Sequence, residues 1–244
     1  MLKVQGMTKR FGGITAVDNL NFQIEEGGIF GLIGPNGAGK TTVFNLICGF
    51  ERPDGGRVFF KGEDITHLKP YQICWKGIAR TFQIVKLFEN LSVLENVLVG
   101  ATFGGRKSRR DPKEKALEII QLLELTNVAQ RLCKNLTLAL KKRVEMARAL
   151  ATDPKLLLLD EVLAGLNPSE VDESLPLLSK IREEQGITIL MIEHVMRAVM
   201  NASDYIIVLN QGRKIAEGIP SQIANDAKVI QAYLGEEYVE DRGY

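Results

Sequence analysis

Gly34-Pro35-Asn36-Gly37-Ala38-Gly39-Lys40-Thr41-Thr42 is the stretch on which the reading of this chain turns. It matches G-x-x-x-x-G-K-[ST], a loop whose glycines let consecutive N–H groups converge on phosphate oxygens. Its surroundings fit. Ile29 to Ile33 is short and apolar and reads as a strand entering the loop, while Lys40 to Cys48 reads as a helix leaving it without a break. A helix that starts at the lysine adds a favourable dipole for an anion. In such a loop Lys40 reaches the β- and γ-phosphates and the Thr41 hydroxyl binds Mg2+. A glycine turn with a surface lysine would require neither the strand nor the helix. Gly34, Pro35, Asn36, Gly37, Ala38, Gly39, Lys40, Thr41 and Thr42 are therefore the expected nucleotide-binding residues, with Mg2+ beside the phosphates.

A phosphate loop does not by itself separate kinases, GTPases and motors. No N-K-x-D guanine reader occurs, and the nearest string, Asn210-Gln211-Gly212-Arg213, fails the pattern. A second part lies in Leu156-Leu157-Leu158-Leu159-Asp160-Glu161, an apolar strand ending in two acids. A carboxylate at a strand end beside a phosphate loop holds Mg2+, which suits Asp160, and Glu161 next to it is placed to polarise an attacking water. Without the phosphate loop, two acids after a strand would more simply begin a solvated loop.

Working outward, Leu2 to Thr8, Leu20 to Ile24, Val58 to Lys61 and Ile78 to Gln83 read as further strands. From about 84 to 155 the pattern turns helical. Ser92-Val93-Leu94-Glu95 is a capping box, Asp111-Pro112 sets a cap before a proline at the first helical position, and Leu140 to Ala151 reads as a helix. Strands return at Leu156 to Leu159, Thr188 to Ile192 and Tyr205 to Leu209, with helices between. Continuous apolar strands alternating with helices indicate a parallel sheet covered on both faces. Pro176, inside the helix expected from Pro168 to Glu184, should kink or split it. Gly104-Gly105-Arg106-Lys107-Ser108-Arg109-Arg110 reads as a solvated loop, with contact to lipid headgroups or RNA the alternative, and 236–244 as a frayed acidic tail.

The chain has 244 residues, 45% apolar and 25% charged, with 31 basic against 30 acidic side chains and a formal charge of +1. That is globular usage, with no global charge drawing it to nucleic acid or to an anionic membrane. Three widely spaced cysteines, Cys48, Cys74 and Cys133, point to a reducing compartment with neither disulfide framework nor zinc site. No apolar run has the length of a membrane span, and the N-terminus lacks a signal-peptide pattern, so a soluble, cytosolic protein is expected.

With these residues in place, the chain resembles the ATP-binding cassette family over essentially its whole length. Gln83, in Arg80-Thr81-Phe82-Gln83, falls where the family has a glutamine that senses Mg2+ and the attacking water and faces the membrane partner. Asn167, in Ala164-Gly165-Leu166-Asn167, falls in the D-loop, where aspartate is commoner. His194 matches the histidine that contacts the γ-phosphate, and Phe11 the aromatic that stacks on adenine. The signature segment departs from the usual L-S-G-G-Q, reading Leu136-Thr137-Leu138-Ala139-Leu140. Thr137 keeps a hydroxyl, Ala139 adds a methyl costing about 1 kcal/mol if the position needs φ > 0, and Leu140 removes a polar group. Val162 replaces the proline that often follows the catalytic glutamate.

The resemblance implies an α/β fold with a P-loop NTPase (RecA-like) parallel core, an N-terminal antiparallel β subdomain and an α-helical insert at 84–155, within one domain over 1–244. Within the family the chain is similar to the G-type ATPase subunit of branched-chain amino acid (LIV-class) importers. Carrying that likeness are Arg10-Phe11-Gly12-Gly13, Thr42-Val43-Phe44-Asn45, Arg80-Thr81-Phe82-Gln83 and Ala232-Tyr233-Leu234-Gly235. Implied roles are Glu161 as base, His194 and Gln83 completing the site, Thr41, Gln83 and Asp160 around Mg2+, and Thr137, Leu138, Ala139 and Leu140 serving a partner's nucleotide. Implied partners are membrane permease subunits, gripped by the segment from Arg80 to Glu95, and a second, different ATPase subunit, with self-pairing the alternative. A periplasmic solute-binding protein would act indirectly, and the chain would sit on the cytoplasmic face of the inner membrane. Urea or short-amide import, lipopolysaccharide export and a non-transport role on nucleic acid remain alternatives; the last ordinarily needs coiled-coil inserts, tandem cassettes or basic faces that this chain lacks.

Overall fold

A computed structural model of the chain describes residues 1–104 and 111–240, with side chains as far as Leu234. In chain order the elements are β1 (Leu2–Phe11), β2 (Ile14–Ile24), β3 (Ile29–Ile33), α1 (Lys40–Ile47), β4 (Gly55–Phe60), β5 (Glu63–Asp64), α2 (Pro70–Lys76), β6 (Ile78–Arg80), α3 (Val93–Phe103) and α4 (Pro112–Leu122). They continue with α5 (Leu138–Leu150), β7 (Leu156–Asp160), α6 (Pro168–Gln185), β8 (Thr188–Ile192), α7 (Met196–Ala202), β9 (Tyr205–Asn210), β10 (Arg213–Gly218), α8 (Pro220–Ile223) and α9 (Ala227–Glu240). Two compact units result, one from Met1–Lys69 with Leu190 onward, the other from Pro70–Ile189.

In the first unit β2, β1, β4 and β5 form an antiparallel sheet in that order. Its strands alternate buried and exposed residues, as expected where one face is solvated. β1 and β2 outrun their sequence estimates because polar residues such as Lys9 and Arg10 continue the ladder, pairing with Val17 and Thr15. β3 runs parallel to β9, with Phe30 opposite Tyr205 and Ile33 opposite Val208, and all five β3 residues are buried. The Asp204 carboxylate accepts the Ile29 N–H at 2.8 Å, fixing where β3 starts. The Asn210 to Arg213 string that failed as a guanine reader closes the antiparallel β9–β10 hairpin.

The second unit pairs β6 and β7 in parallel, Arg80 lying opposite Leu158. Leu156 to Leu159 are each wholly buried, which explains a run of four leucines. β6 stops at Arg80, three residues short of the strand expected to reach Gln83. Between Arg80 and Leu156 the described residues form helices and loops with a single isolated bridge, Ser92 to Leu132. The Ser92–Glu95 capping box opens α3, Asp111 accepts the Lys113 N–H at 3.0 Å to cap α4, and Thr137 caps α5, which starts two residues earlier than expected.

α3 lies close enough to α5 at Gly100 that a methyl there would run into the Arg148 carbonyl oxygen. Gly100→Ala should lower stability by about 1–3 kcal/mol through overpacking, read as a fall in denaturation midpoint at unchanged slope.

α6 continues through Pro176 for 18 residues and is not split. A capping box at Asn167 and Glu170, and Gly186 at φ 61 beyond its end, secure both termini, so the rest of the helix absorbs the missing donor. The tail expected to fray from 236 has helical backbone to Glu240. No proline interrupts the chain between 227 and 240. Residues 105–110, most of the basic loop, and 241–244 lie outside the described residues.

Candidate nucleotide site

The phosphate loop occupies the first unit. Gly39, at φ 98, precedes α1 with no side chain capping the helix and no acid in its first turn. No side chain competes for the start of α1, the arrangement in which a helix N-terminus binds phosphate. Glycine at position 34 is enforced by packing, because a methyl there would strike the Leu209 carbonyl oxygen at the end of β9. The Ala38 carbonyl accepts the Gly212 N–H at 3.0 Å, so the β9–β10 turn supports the loop from outside. Lys40 is 6% exposed, and its ammonium donates to the carbonyls of Gly34 at 2.6 Å and Pro35 at 2.8 Å. It is already folded inside the loop. Asn36, Gly37 and Thr41 face solvent, while Pro35 and Ala38 are buried and Thr42 is half-buried. Phe11, at the end of β1, is 45% exposed with the Lys9 ammonium 5.0 Å from its ring centroid. His194 follows β8 and is exposed.

The acids occupy the second unit. Asp160 ends β7 and is paired with Arg80 of β6 at 2.6 Å, with side chains 1% and 5% exposed. Its own N–H donates to the Thr81 hydroxyl at 3.1 Å. Removing one member of such a buried pair typically costs about 3–5 kcal/mol, so Arg80 fixes where the Asp160 carboxylate sits. Glu161 takes the left-handed conformation at φ 51, and its Oε2 accepts from Gln83 Nε2 at 2.8 Å. Gln83 and Glu161 stand 78 residues apart in sequence. Among the described residues no group of three or more His, Cys, Asp or Glu side chains is placed to hold a metal.

The loop after Gln83 is held by side chains that the sequence did not single out. Glu145 of α5, 3% exposed, accepts the Lys86 N–H at 3.1 Å, and Arg148 donates to the Lys86 carbonyl at 2.5 Å. Burial pushes the Glu145 carboxyl up from its ordinary value and the Arg148 guanidinium down. Asn96 exchanges bonds with both backbone groups of Phe88, each at 3.0 Å. A cleft of about 300 Å3 follows the same loop, lined by Gln83, Ile84, Val85, Leu87, Leu138 and Lys141 among others.

The altered signature is built as a helix start. Thr137 accepts the Leu140 N–H at 3.4 Å, and an accepting hydroxyl still has its proton to give. Ala139 lies within α5 and is not among the residues with positive φ. The penalty expected if that position needed φ > 0 therefore does not arise. Asn167 serves as the cap of α6, accepting the Glu170 N–H at 3.0 Å, a structural reason for its presence that is independent of any D-loop role.

The family described as ABC transporter matches residues 17–164, and one described as branched-chain amino acid ATP-binding cassette transporter matches residues 213–239. The chain is 43% identical to the high-affinity branched-chain amino acid transport ATP-binding protein BraF of Pseudomonas aeruginosa, covering 97% of this chain and 98% of that protein. It is 42% identical, with the same coverage, to LivG of Escherichia coli K12, which carries the same description. The crystal structure of the ADP conformation of an ATP-binding cassette of an ABC transporter matches with a TM-score of 0.88 and 33% identity, over 96% of this chain and 98% of that one.

Proposed function

We propose, from the premise that this chain belongs to the ABC transporter family as one of its ATP-binding subunits, that it hydrolyses ATP to drive solute uptake through a membrane permease. Branched-chain amino acids are the solutes, as in BraF and LivG. The observation that carries the coupling is the hydrogen bond between Gln83 and Glu161. It ties the hydrolytic acid to the loop that lines the apolar-edged cleft, so a partner seated there has a direct mechanical route to the acid.

The roles follow residue by residue. Gly34 to Thr42 binds the phosphates, with the Lys40 ammonium neutralising their charge and Phe11 offering a face to the base. Mg2+, held with ATP, would supply further charge neutralisation, with Thr41, Asp160 and Gln83 around it. Glu161 accepts a proton from the attacking water, and His194 donates to the γ-phosphate. The helical stretch 84–155 serves as a subdomain that a permease loop engages along Arg80 to Glu95, where Ile84 and Phe88 are 77% and 51% exposed. No helix of the described residues is long and apolar enough to cross a membrane, and the chain works as a peripheral subunit on the cytoplasmic face.

Uptake tests this. Proteoliposomes holding the chain with its permease, second ATPase subunit and binding protein should accumulate leucine, isoleucine or valine in an ATP-dependent way. Accumulation of urea or an amide instead would overturn the solute, and no solute-stimulated hydrolysis would overturn the transport role.

The altered signature predicts an asymmetry between the two ATPase subunits. This chain's own loop and acids are intact and would meet the partner's signature, while Thr137 to Leu140 would serve the partner's ATP with Leu138 and Ala139 where the usual signature has two glycines, and with Leu140 in place of the polar glutamine. Replacing the partner's catalytic glutamate should then cost less turnover than Glu161→Gln. Equal losses would refute it.

A further inference from the structure

Lys142 lies on α5, little more than a turn past the helix start, and is 6% exposed. Its ammonium donates to the Glu161 carbonyl at 2.8 Å and to the Ala164 carbonyl at 2.5 Å. These carbonyls begin and end one turn, whose own bond runs from the Ala164 N–H to the Glu161 carbonyl at 3.3 Å. The turn has a strained first residue. Glu161 sits at φ 51, a conformation that disfavours a side chain by about 1–2 kcal/mol and persists only where the surroundings hold it. An ammonium shared between two carbonyls makes charge-assisted bonds, roughly twice as strong as neutral ones. Left-handed backbone at Glu161 also sets the direction of its side chain, and that direction is what lets its carboxylate meet Gln83 Nε2.

We infer that Lys142 is a positioning residue for ATP hydrolysis, holding the 161–164 turn in the left-handed form that aims the Glu161 carboxylate. The inference rests on the reading of Glu161 as the base. It has a mechanical corollary. α5 begins at the signature segment and also grips the Lys86 backbone through Glu145 and Arg148. Lys142 adds the hydrolytic turn to that same helix, so a displacement of α5 by a partner carries the Glu161 backbone with it.

Three variants of the full chain test this, in whichever assembly gives the parent its turnover. Lys142→Met keeps the aliphatic stem and removes the donors, Lys142→Gln keeps one short neutral donor, and Lys142→Arg keeps charge and donors. Lys142→Met should lower kcat by about tenfold to a hundredfold while KM for ATP stays within about twofold, the split expected when an interaction made in the transition state is lost. Lys142→Arg should recover a large part of the loss. Amide exchange at 162–164 should accelerate in Lys142→Met and not in Lys142→Arg. A kcat for Lys142→Met within twofold of the parent overturns the inference. So does a joint loss of kcat and ATP binding, or failure of both Lys142→Met and Lys142→Gln to fold, since each marks a purely structural lysine. Full turnover in Glu161→Gln would instead overturn the assignment of the base, and the exchange measurement would still report whether Lys142 clamps the turn.

Discussion

Glu161→Gln should bind Mg-ATP as the parent does and hydrolyse it at least about a hundredfold more slowly, the scale on which a positioned general base contributes. The substitution is conservative in every respect but one. The new carboxamide has nearly the shape of the carboxylate, and its oxygen still accepts the Gln83 N–H, which now spans 2.8 Å. The left-handed turn at φ 51 is a main-chain property, held through the Glu161 carbonyl, so it survives as well. Only the capacity to accept a proton disappears. A variant that turned ATP over at near the parental rate would remove Glu161 from the chemistry. Blocked turnover also makes assembly visible, because hydrolysis no longer reopens a closed pair. Light scattering with and without Mg-ATP then gives one of two masses. A nucleotide-dependent dimer would mean that Thr137 to Leu140 still work as a signature within a homodimer. A persistent monomer that binds ATP would mean that a second, different subunit is required.

The parts of this protein that were legible in its sequence are those in which local pattern and tertiary role coincide. β3 and β8 were read to the residue because each is a five-residue run, apolar but for Thr188, and buried throughout. The phosphate loop was legible because its glycines and lysine act within nine consecutive residues. α2 and β10 left no comparable signal, being seven and six residues long and only partly buried. Pro176 misled for the opposite reason. Its local effect is real, but an 18-residue helix capped at both ends tolerates one missing bond. The interactions that arm the acids were out of reach, since Arg80 and Gln83 find Asp160 and Glu161 across about eighty residues of chain. Lys142 hid in Lys141-Lys142-Arg143, a run that looks solvated. A signal was present, however. Lys142, Glu145 and Ala149 repeat at helical spacing within α5, and all three are buried. Charged residues on the buried stripe of a helix require partners, and here those partners are the backbone carbonyls of one functional turn and a backbone amide of the loop beside it.

Lys40→Met should have the complementary effect, sharply weakening nucleotide binding where Glu161→Gln preserves it. Lys40 is buried, and its ammonium crosses the loop to the carbonyls of Gly34 and Pro35. Methionine keeps the stem and removes the charge, so the loop would offer phosphate its N–H groups without the cation that offsets several negative charges. Truncating one partner of a buried, hydrogen-bonded charge pair costs about 2–5 kcal/mol in binding, which is roughly thirtyfold to several thousandfold in affinity. The readout is thermal. A ligand that binds only the folded chain raises its melting temperature by mass action, so parent and Glu161→Gln should both melt higher as Mg-ATP is added, while Lys40→Met should not respond. Two carbonyls losing a donor should also lower its melting temperature slightly without nucleotide. The response to ATP and the basal value are separate measurements, and only the first bears on the site. An undiminished response in Lys40→Met would place the nucleotide elsewhere. With binding lost in one variant and turnover in the other, the phosphate loop and Glu161 would be shown to act on successive steps of one reaction, as the assignment of this chain to ATP-driven uptake requires.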